Sequence, residues 1–322
     1  FRLFLPQDTS TPWRVYLEDG LLLNKNKGSA YHYYVRNNIK VKYTFGKYHN
    51  RIYNLNNSKD KILILGDSSI FGWLLNDEDT FVYKLAKTFP KFNFINSAAG
   101  GMGTSDQVRY YDKFCKKIKP ISTLYIMNFA DIDRSKKSNL YYLDKNNKLI
   151  NGKNKIPKIY KFVDNNPVYD FLVSNFHIIG FLRKSYVRLI NLDFLNIKKN
   201  KNFSEDTENS TFSKNNNSKN NQKIKDKYLF EKKLILKLSN LSKKCNSKFY
   251  LINFAWYNKE YYDSGTYRFL NHNLNFLKEN NIDYINLEDQ MIKKYLNPDA
   301  YKIKYDGHPN AKANELYFEI LK

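Results

Sequence analysis

From Lys61 onward the chain repeats one pattern: a short apolar run, a break at glycine or small polar residues, then an amphipathic stretch of helical period. Residues 61–65, 92–95, 122–129, 248–254 and 282–287 read as five strands. Helical stretches run over about 79–89, 104–117, 226–244 and 266–280, and a last helix starts near Asn310. Thr104-Ser105-Asp106-Gln107 has capping-box spacing and is expected to open the 104–117 helix, with Val108, Tyr111 and Cys115 on one face. Strands separated by helices join by crossovers, so the expected fold is α/β, a three-layer sandwich around a mostly parallel five-stranded sheet. Ligands then bind at the carboxyl ends of the strands.

Two segments stand outside this pattern. Residues 1–57 mix aromatic and polar residues, with strand-like pieces between Tyr31 and Phe45, and read as an N-terminal extension packed on the core. Residues 58–322 then form the α/β domain, interrupted by an insertion over 134–225. The early part of that insertion carries Tyr141, Tyr142, Tyr160, Phe162, Tyr169, Phe171 and Phe176, enough to pack and to form a lid beside a site. Residues 196–225 are Asn/Lys/Ser-rich and nearly free of large apolar side chains, which predicts a disordered surface linker.

Composition narrows the function classes. At 322 residues and 42% hydrophobic content the chain has enough apolar surface for a sizeable core. Its two cysteines, Cys115 and Cys245, exclude a disulfide scaffold and a Cys-based zinc site but leave room for one long-range disulfide. No apolar run approaches the roughly 18 residues of a membrane span. The chain opens on Phe1 rather than Met, so localisation and membrane association through a preceding signal or anchor segment stay open. A formal charge of +23 favours anionic partners. Lys and Asn recur in every segment, however, so the excess reads first as a general residue bias. Nucleic-acid binding has only this charge behind it, with no helix-turn-helix, zinc-finger or RNA-binding aromatic signature.

Phosphate-loop, zinc-protease, dinucleotide-binding and Gly-x-Ser-x-Gly signatures are all missing, and no cofactor or metal is expected. Three short blocks remain. Gly66-Asp67-Ser68-Ser69 follows the most apolar strand, which puts Ser68 at the edge of the sheet where ligands bind. Asn96-Ser97-Ala98-Ala99-Gly100-Gly101-Met102-Gly103 follows the second strand, and its glycines let backbone amides approach a substrate closely. Asp306-Gly307-His308-Pro309-Asn310 precedes the last helix. A serine hydroxyl is a poor nucleophile until an imidazole takes its proton, so His308 would activate Ser68 while Asp306 orients the ring. Taken singly, the first block is equally well read as a helix-capping turn, and a lone surface histidine in a turn is usually inert.

In this order the blocks resemble the SGNH (GDSL) hydrolase superfamily over about residues 60–133 and 245–322, a resemblance that implies a flavodoxin-like three-layer fold. The resemblance implies Ser68 as nucleophile, Asp306 and His308 as its partners, and the amides of Ser68 and Gly101 as oxyanion donors. The Asp-x-His-Pro-Asn form of the last block is similar to a branch of envelope glycan-modifying O-acyl esterases and acyltransferases, which favours the cell envelope or periplasm. One departure stands out in Ile126-Met127-Asn128-Phe129-Ala130-Asp131, where Ala130 occupies the place of the family's third-donor Asn. Either Asn128 replaces it, two residues upstream on the same strand face, or the donor is lost. The implied activity is hydrolysis or transfer of acyl esters, including acetyl esters of a glycan. The alternative is a weak or inactive relative that binds anionic polysaccharide.

Overall fold

The computed structural model describes residues 13–53, 55, 58–128, 130–152, 217–253, 273–287 and 297–322, with isolated positions between 166 and 185 and at 290 and 294. The chain starts with two antiparallel pairs, β1 (Arg14–Tyr16) with β2 (Leu22–Asn24) and β3 (Ser29–Tyr34) with β4 (Ile39–Thr44). Then come β5 (Lys61–Leu65), α1 (Ser68–Phe71), α2 (Phe81–Thr88), β6 (Asn93–Asn96), α3 (Thr104–Ile118), β7 (Ser122–Met127) and α4 (Ala130–Ser138). A small hairpin of β8 (Tyr141–Leu143) and β9 (Leu149–Asn151) follows. The rest comprises α5 (Asn217–Lys244), β10 (Lys248–Asn253), α6 (Leu274–Glu279), β11 (Asp283–Asn286) and α7 (Ala311–Leu321).

The central sheet has the order β11-β10-β7-β5-β6, with every neighbouring pair parallel. Side chains alternate across it, which is why the middle of each strand is apolar on both faces, with the polar residues mostly at the strand ends. Leu63, Leu65, Tyr125, Met127 and Leu251 enter one core with residues of α3, α5 and α6, whereas Ile64, Ile126 and Ile252 enter the other with residues of α2 and α7. The N-terminal strands feed both cores, Leu21 and Leu23 joining the first and Trp13, Tyr43 and Phe45 the second. Cys115 on α3 and Cys245 just beyond α5 form a disulfide with Cα atoms 6.2 Å apart, tying together the two helices on one face.

Several local expectations need correction. The α3 cap is Gly103, whose N–H donates to Asp106 Oδ2 at 3.0 Å, one residue ahead of the expected Thr104. Thr104 is the first helical residue because its hydroxyl is taken up by Tyr125 Oη, 2.7 Å away, and by Glu231. β7 stops at Met127, two residues short of the expected end at 129, and α4 starts at Ala130, where Asn128 Oδ1 accepts the Ala130 N–H. α5 begins at Asn217, so the last residues of the expected disordered linker are helical; 196–216 lie outside the described residues. Of the lid aromatics, Tyr141 is buried in the α3–α5 core, Tyr142, Phe171 and Phe176 are exposed, and Tyr160 and Phe162 lie outside the described residues.

Candidate active site

Parallel register brings the separate blocks into one row. Leu65 pairs with Tyr125 and Ile64 with Asn96, so the three strands end side by side; just beyond them Asp67 meets Asn128 on one side, and a Cβ on Gly100 would stand 3.7 Å from Ser68 Cβ on the other. The chain turns there because Asp67 caps α1, its Oδ1 accepting the Ser69 N–H at 2.8 Å. Gly66 is required for space: a Cβ would stand 2.5 Å from Ile70 Cγ1. Its carbonyl is held by Gln107 Nε2 of α3 at 2.7 Å.

The last block arrives from the far end of the chain. His308 Nε2 lies 2.8 Å from Ser68 Oγ, and His308 Nδ1 is hydrogen-bonded to Asp306 Oδ1. With Nδ1–H donating to the carboxylate, Nε2 is left to accept the serine proton, a tautomer assigned from this network. Burial pushes Asp306 up, but the hydrogen bond and charge of His308 outweigh it and hold the carboxyl below its ordinary range. The loop is closed by Ile303 N–H to His308 O at 2.7 Å and Gly307 N–H to Ile303 O at 2.9 Å. Asn310 caps α7 by accepting the Ala313 N–H at 3.0 Å.

Two amides expected to face an oxyanion, those of Ser68 and Gly101, donate to no backbone or side-chain acceptor among the described residues. Gly101 has φ +84°, a conformation that favours glycine, and a Cβ there would stand 3.0 Å from Arg14 Nη2. Asn128 is buried next to Asp67, the residue before Ser68, but its side chain is partly committed. Nδ2 donates to Asp67 Oδ2 at 3.3 Å, and Oδ1 accepts from Ala130. The relation of positions 128 and 130 as two residues of one strand face does not hold, because the backbone has already turned.

Sequence reasoning missed the supports beneath this row. Arg134 Nη1 bridges Asp67 Oδ2 at 2.7 Å and Asp131 Oδ1 at 3.2 Å, while Asp131 Oδ2 accepts the Asn128 N–H at 3.0 Å. Burial raises Asp131 well above the usual carboxylate range, and neighbouring Asp67 adds to this against the pull of Arg134. Arg51, fully buried, donates to the carbonyls of Phe71, Gly72 and Leu75 at 3.0, 2.9 and 2.8 Å and to Asp77 at 2.8 Å, locking the chain that leaves α1. Trp73 stacks on His308 with ring centroids 5.4 Å apart and planes at 28°. Asp131 and Arg134, three apart with opposite charge, offered a local signal; Arg51 and Trp73 offered none, since their partners are distant in sequence.

No family model matches the chain, and comparison with curated proteins finds no match. Among solved structures, a psychrotrophic esterase from Pseudoalteromonas sp. is similar over 81% of this chain and 94% of its own, at 13% identity and a TM-score of 0.42. An acetylxylan esterase from Geobacillus stearothermophilus is similar over 83% of this chain and 94% of its own, at 11% identity and a TM-score of 0.43. A member of the lipolytic protein G-D-S-L family from Veillonella parvula is similar over 81% of this chain and 96% of its own, at 11% identity and a TM-score of 0.42. Likeness at this level decides nothing about chemistry. Among the described residues no group of three or more His, Cys, Asp or Glu side chains could hold a metal ion, and no helix is long and apolar enough to cross a membrane.

Proposed function

We propose that the chain is a serine-dependent ester hydrolase or O-acyltransferase of the SGNH type. The observation that carries this reading is the hydrogen-bonded sequence Ser68 Oγ, His308 Nε2, His308 Nδ1, Asp306 Oδ1 at the carboxyl end of a parallel sheet. Ser68 Oγ attacks the ester carbonyl as its proton passes to His308 Nε2, and Asp306 stabilises the imidazolium. The amides of Ser68 and Gly101 donate to the oxyanion, and Asn128 supplies a third donor from the Nδ2 hydrogen not directed at Asp67. Collapse of the tetrahedral intermediate expels the alcohol, which takes the proton from His308 and leaves an acyl-Ser68. Water or a sugar hydroxyl then gives its proton to His308 as it attacks, and Ser68 is regenerated.

The finer reading follows the last block: an acyl group, acetyl included, on a glycan of the cell envelope. The disulfide between α3 and the end of α5 suits an oxidising compartment such as the periplasm. The rival reading, an inactive module that binds anionic polysaccharide, draws on the +23 charge and Ala130.

A small aryl acetate assay combined with fluorophosphonate labelling tests the assignment. Wild type should turn over and label, whereas Ser68→Ala and His308→Ala should each lose turnover by a factor of at least about 10³, and the double variant should lose little more, because the two act as one unit. Equal labelling of wild type and Ser68→Ala would remove the nucleophile. An acetylated polysaccharide deacetylated in water alone, with no acetyl passed to added oligosaccharide, would make the chain a hydrolase rather than a transferase.

A further inference from the structure

The loop that carries Asp306 and His308 is held by residues far from it in sequence. Trp73 leaves the end of α1, its N–H donating to Ser68 O at 3.1 Å, and its indole turns back to lie flat against the His308 ring. The same indole lies within hydrogen-bonding reach of the Asp306 carboxylate, and a Cβ on Gly100 would touch its ring at 3.5 Å. Behind it stand two rings of the N-terminal segment: His32 of β3 meets it edge-on at 4.5 Å and Trp13 packs at 6.0 Å. His32 is itself fixed by Tyr43 Oη at 3.2 Å, and that hydroxyl accepts the Leu74 N–H at 2.8 Å.

The same hairpin also grips the loop backbone directly. Tyr34 Oη donates to Tyr305 O at 3.0 Å, and Asn37 Nδ2 donates to Lys304 O at 2.8 Å, in the two residues before Asp306. Such restraint has a purpose here, because Tyr305 sits at φ +64°, a left-handed conformation that a bulky residue adopts only where its surroundings impose it.

We propose that Trp73, backed by the β3–β4 hairpin, is the positioning residue of the His308–Asp306 pair, so that the N-terminal segment is a working part of the catalytic site. An imidazole on a surface loop can rotate and lose its line to Ser68; a flat stack removes that freedom. The imidazolium formed during attack also lies over an indole face, which attracts a cation. The indole also lies within reach of the Asp306 carboxylate and adds to what holds that group below its ordinary range.

This inference rests on the serine-esterase reading, and the experiment separates the two. Wild type, Ser68→Ala, Trp73→Leu, Trp73→Phe and the double variant Tyr34→Phe/Asn37→Ala are compared by kcat and KM on a small aryl acetate and by the rate of Ser68 labelling with a fluorophosphonate. Labelling of wild type but not of Ser68→Ala establishes the nucleophile independently of Trp73; its failure would remove the esterase reading itself. Trp73→Leu should then lower kcat and the labelling rate together by about 10²-fold with KM within about twofold, the cost of a displaced reacting group. Trp73→Phe, which keeps a ring over His308, should recover to within about tenfold of wild type. The double variant, which cuts two exposed contacts outside the core, should lower kcat about three- to tenfold with KM unchanged. A rise in KM at constant kcat in Trp73→Leu would make Trp73 a substrate contact, and equal losses in the Leu and Phe variants would make it packing; either result overturns the proposal, as does a hairpin variant with wild-type kcat.

Discussion

Asn128 illustrates how much one side chain can carry. Its Oδ1 starts α4, its backbone N–H is taken by Asp131, and its Nδ2 reaches Asp67, the residue before the proposed nucleophile. If the remaining Nδ2 hydrogen serves the oxyanion, Asn128→Ala should lower kcat by about 10²-fold or more while KM barely moves, because that bond forms only in the transition state. If Asn128 only links Asp67 to α4, the same variant should lower the melting temperature and leave kcat within a few-fold. Steady-state kinetics and a thermal melt on one protein distinguish these outcomes. Position 128 was legible as a candidate because it belongs to the third block. Its engagement with Asp67 was not, since that contact depends on β5 and β7 lying side by side.

At the scale of elements, α3 carries a titratable group where a helix start is buried. Asp106 accepts the Gly103 N–H, yet burial pushes its carboxyl up to about 7, and that hydrogen bond with the nearby Arg14 charge only partly offsets the effect. Between about pH 4 and pH 7 the folded protein keeps this proton while the unfolded chain has lost it, so the native state binds more protons and stability falls as pH rises through this window. Asp106→Asn keeps an acceptor for Gly103 and removes the titration. Urea unfolding at pH 5 and pH 8 should show the variant gaining at least about 1 kcal/mol on wild type at the higher pH relative to the lower. A mutational effect equal at both pH values would show that Asp106 does not titrate in this range. The helix itself was plain from periodicity, but its cap is Gly103 rather than Thr104, whose hydroxyl is engaged by Tyr125 and Glu231, partners on two other elements.

For the whole molecule, the disulfide and the N-terminal segment act as staples across distant sequence. Cys115 and Cys245 close a loop of 130 residues and join α3 to the end of α5. Reduction should lower stability by about 2–4 kcal/mol, because the unfolded chain regains loop freedom. Thermal melts with and without reductant measure this, and peptide mapping after alkylation should recover the linked pair only from unreduced protein. No change in melting temperature on complete reduction would deny the bond a stabilising role. Arg51 makes a staple of another kind, its buried guanidinium joining the N-terminal segment to carbonyls at the end of α1 and just beyond it.

The sequence alone determined the five-stranded parallel sheet, because buried parallel strands must be apolar on both faces and their crossover helices must be amphipathic. It also singled out Ser68, Gly101, Asp306 and His308, since short polar or glycine-rich blocks at strand ends and before a helix break an otherwise apolar pattern. Only the tertiary structure decided what stands around them. Trp73 over His308, Arg134 between Asp67 and Asp131, and Asn37 on the carbonyl of Lys304 are contacts between elements distant in the chain. Periodicity records which face of an element is buried. It carries no information about the particular side chain that meets that face, which is set by strand order, register and the path of the N-terminal segment.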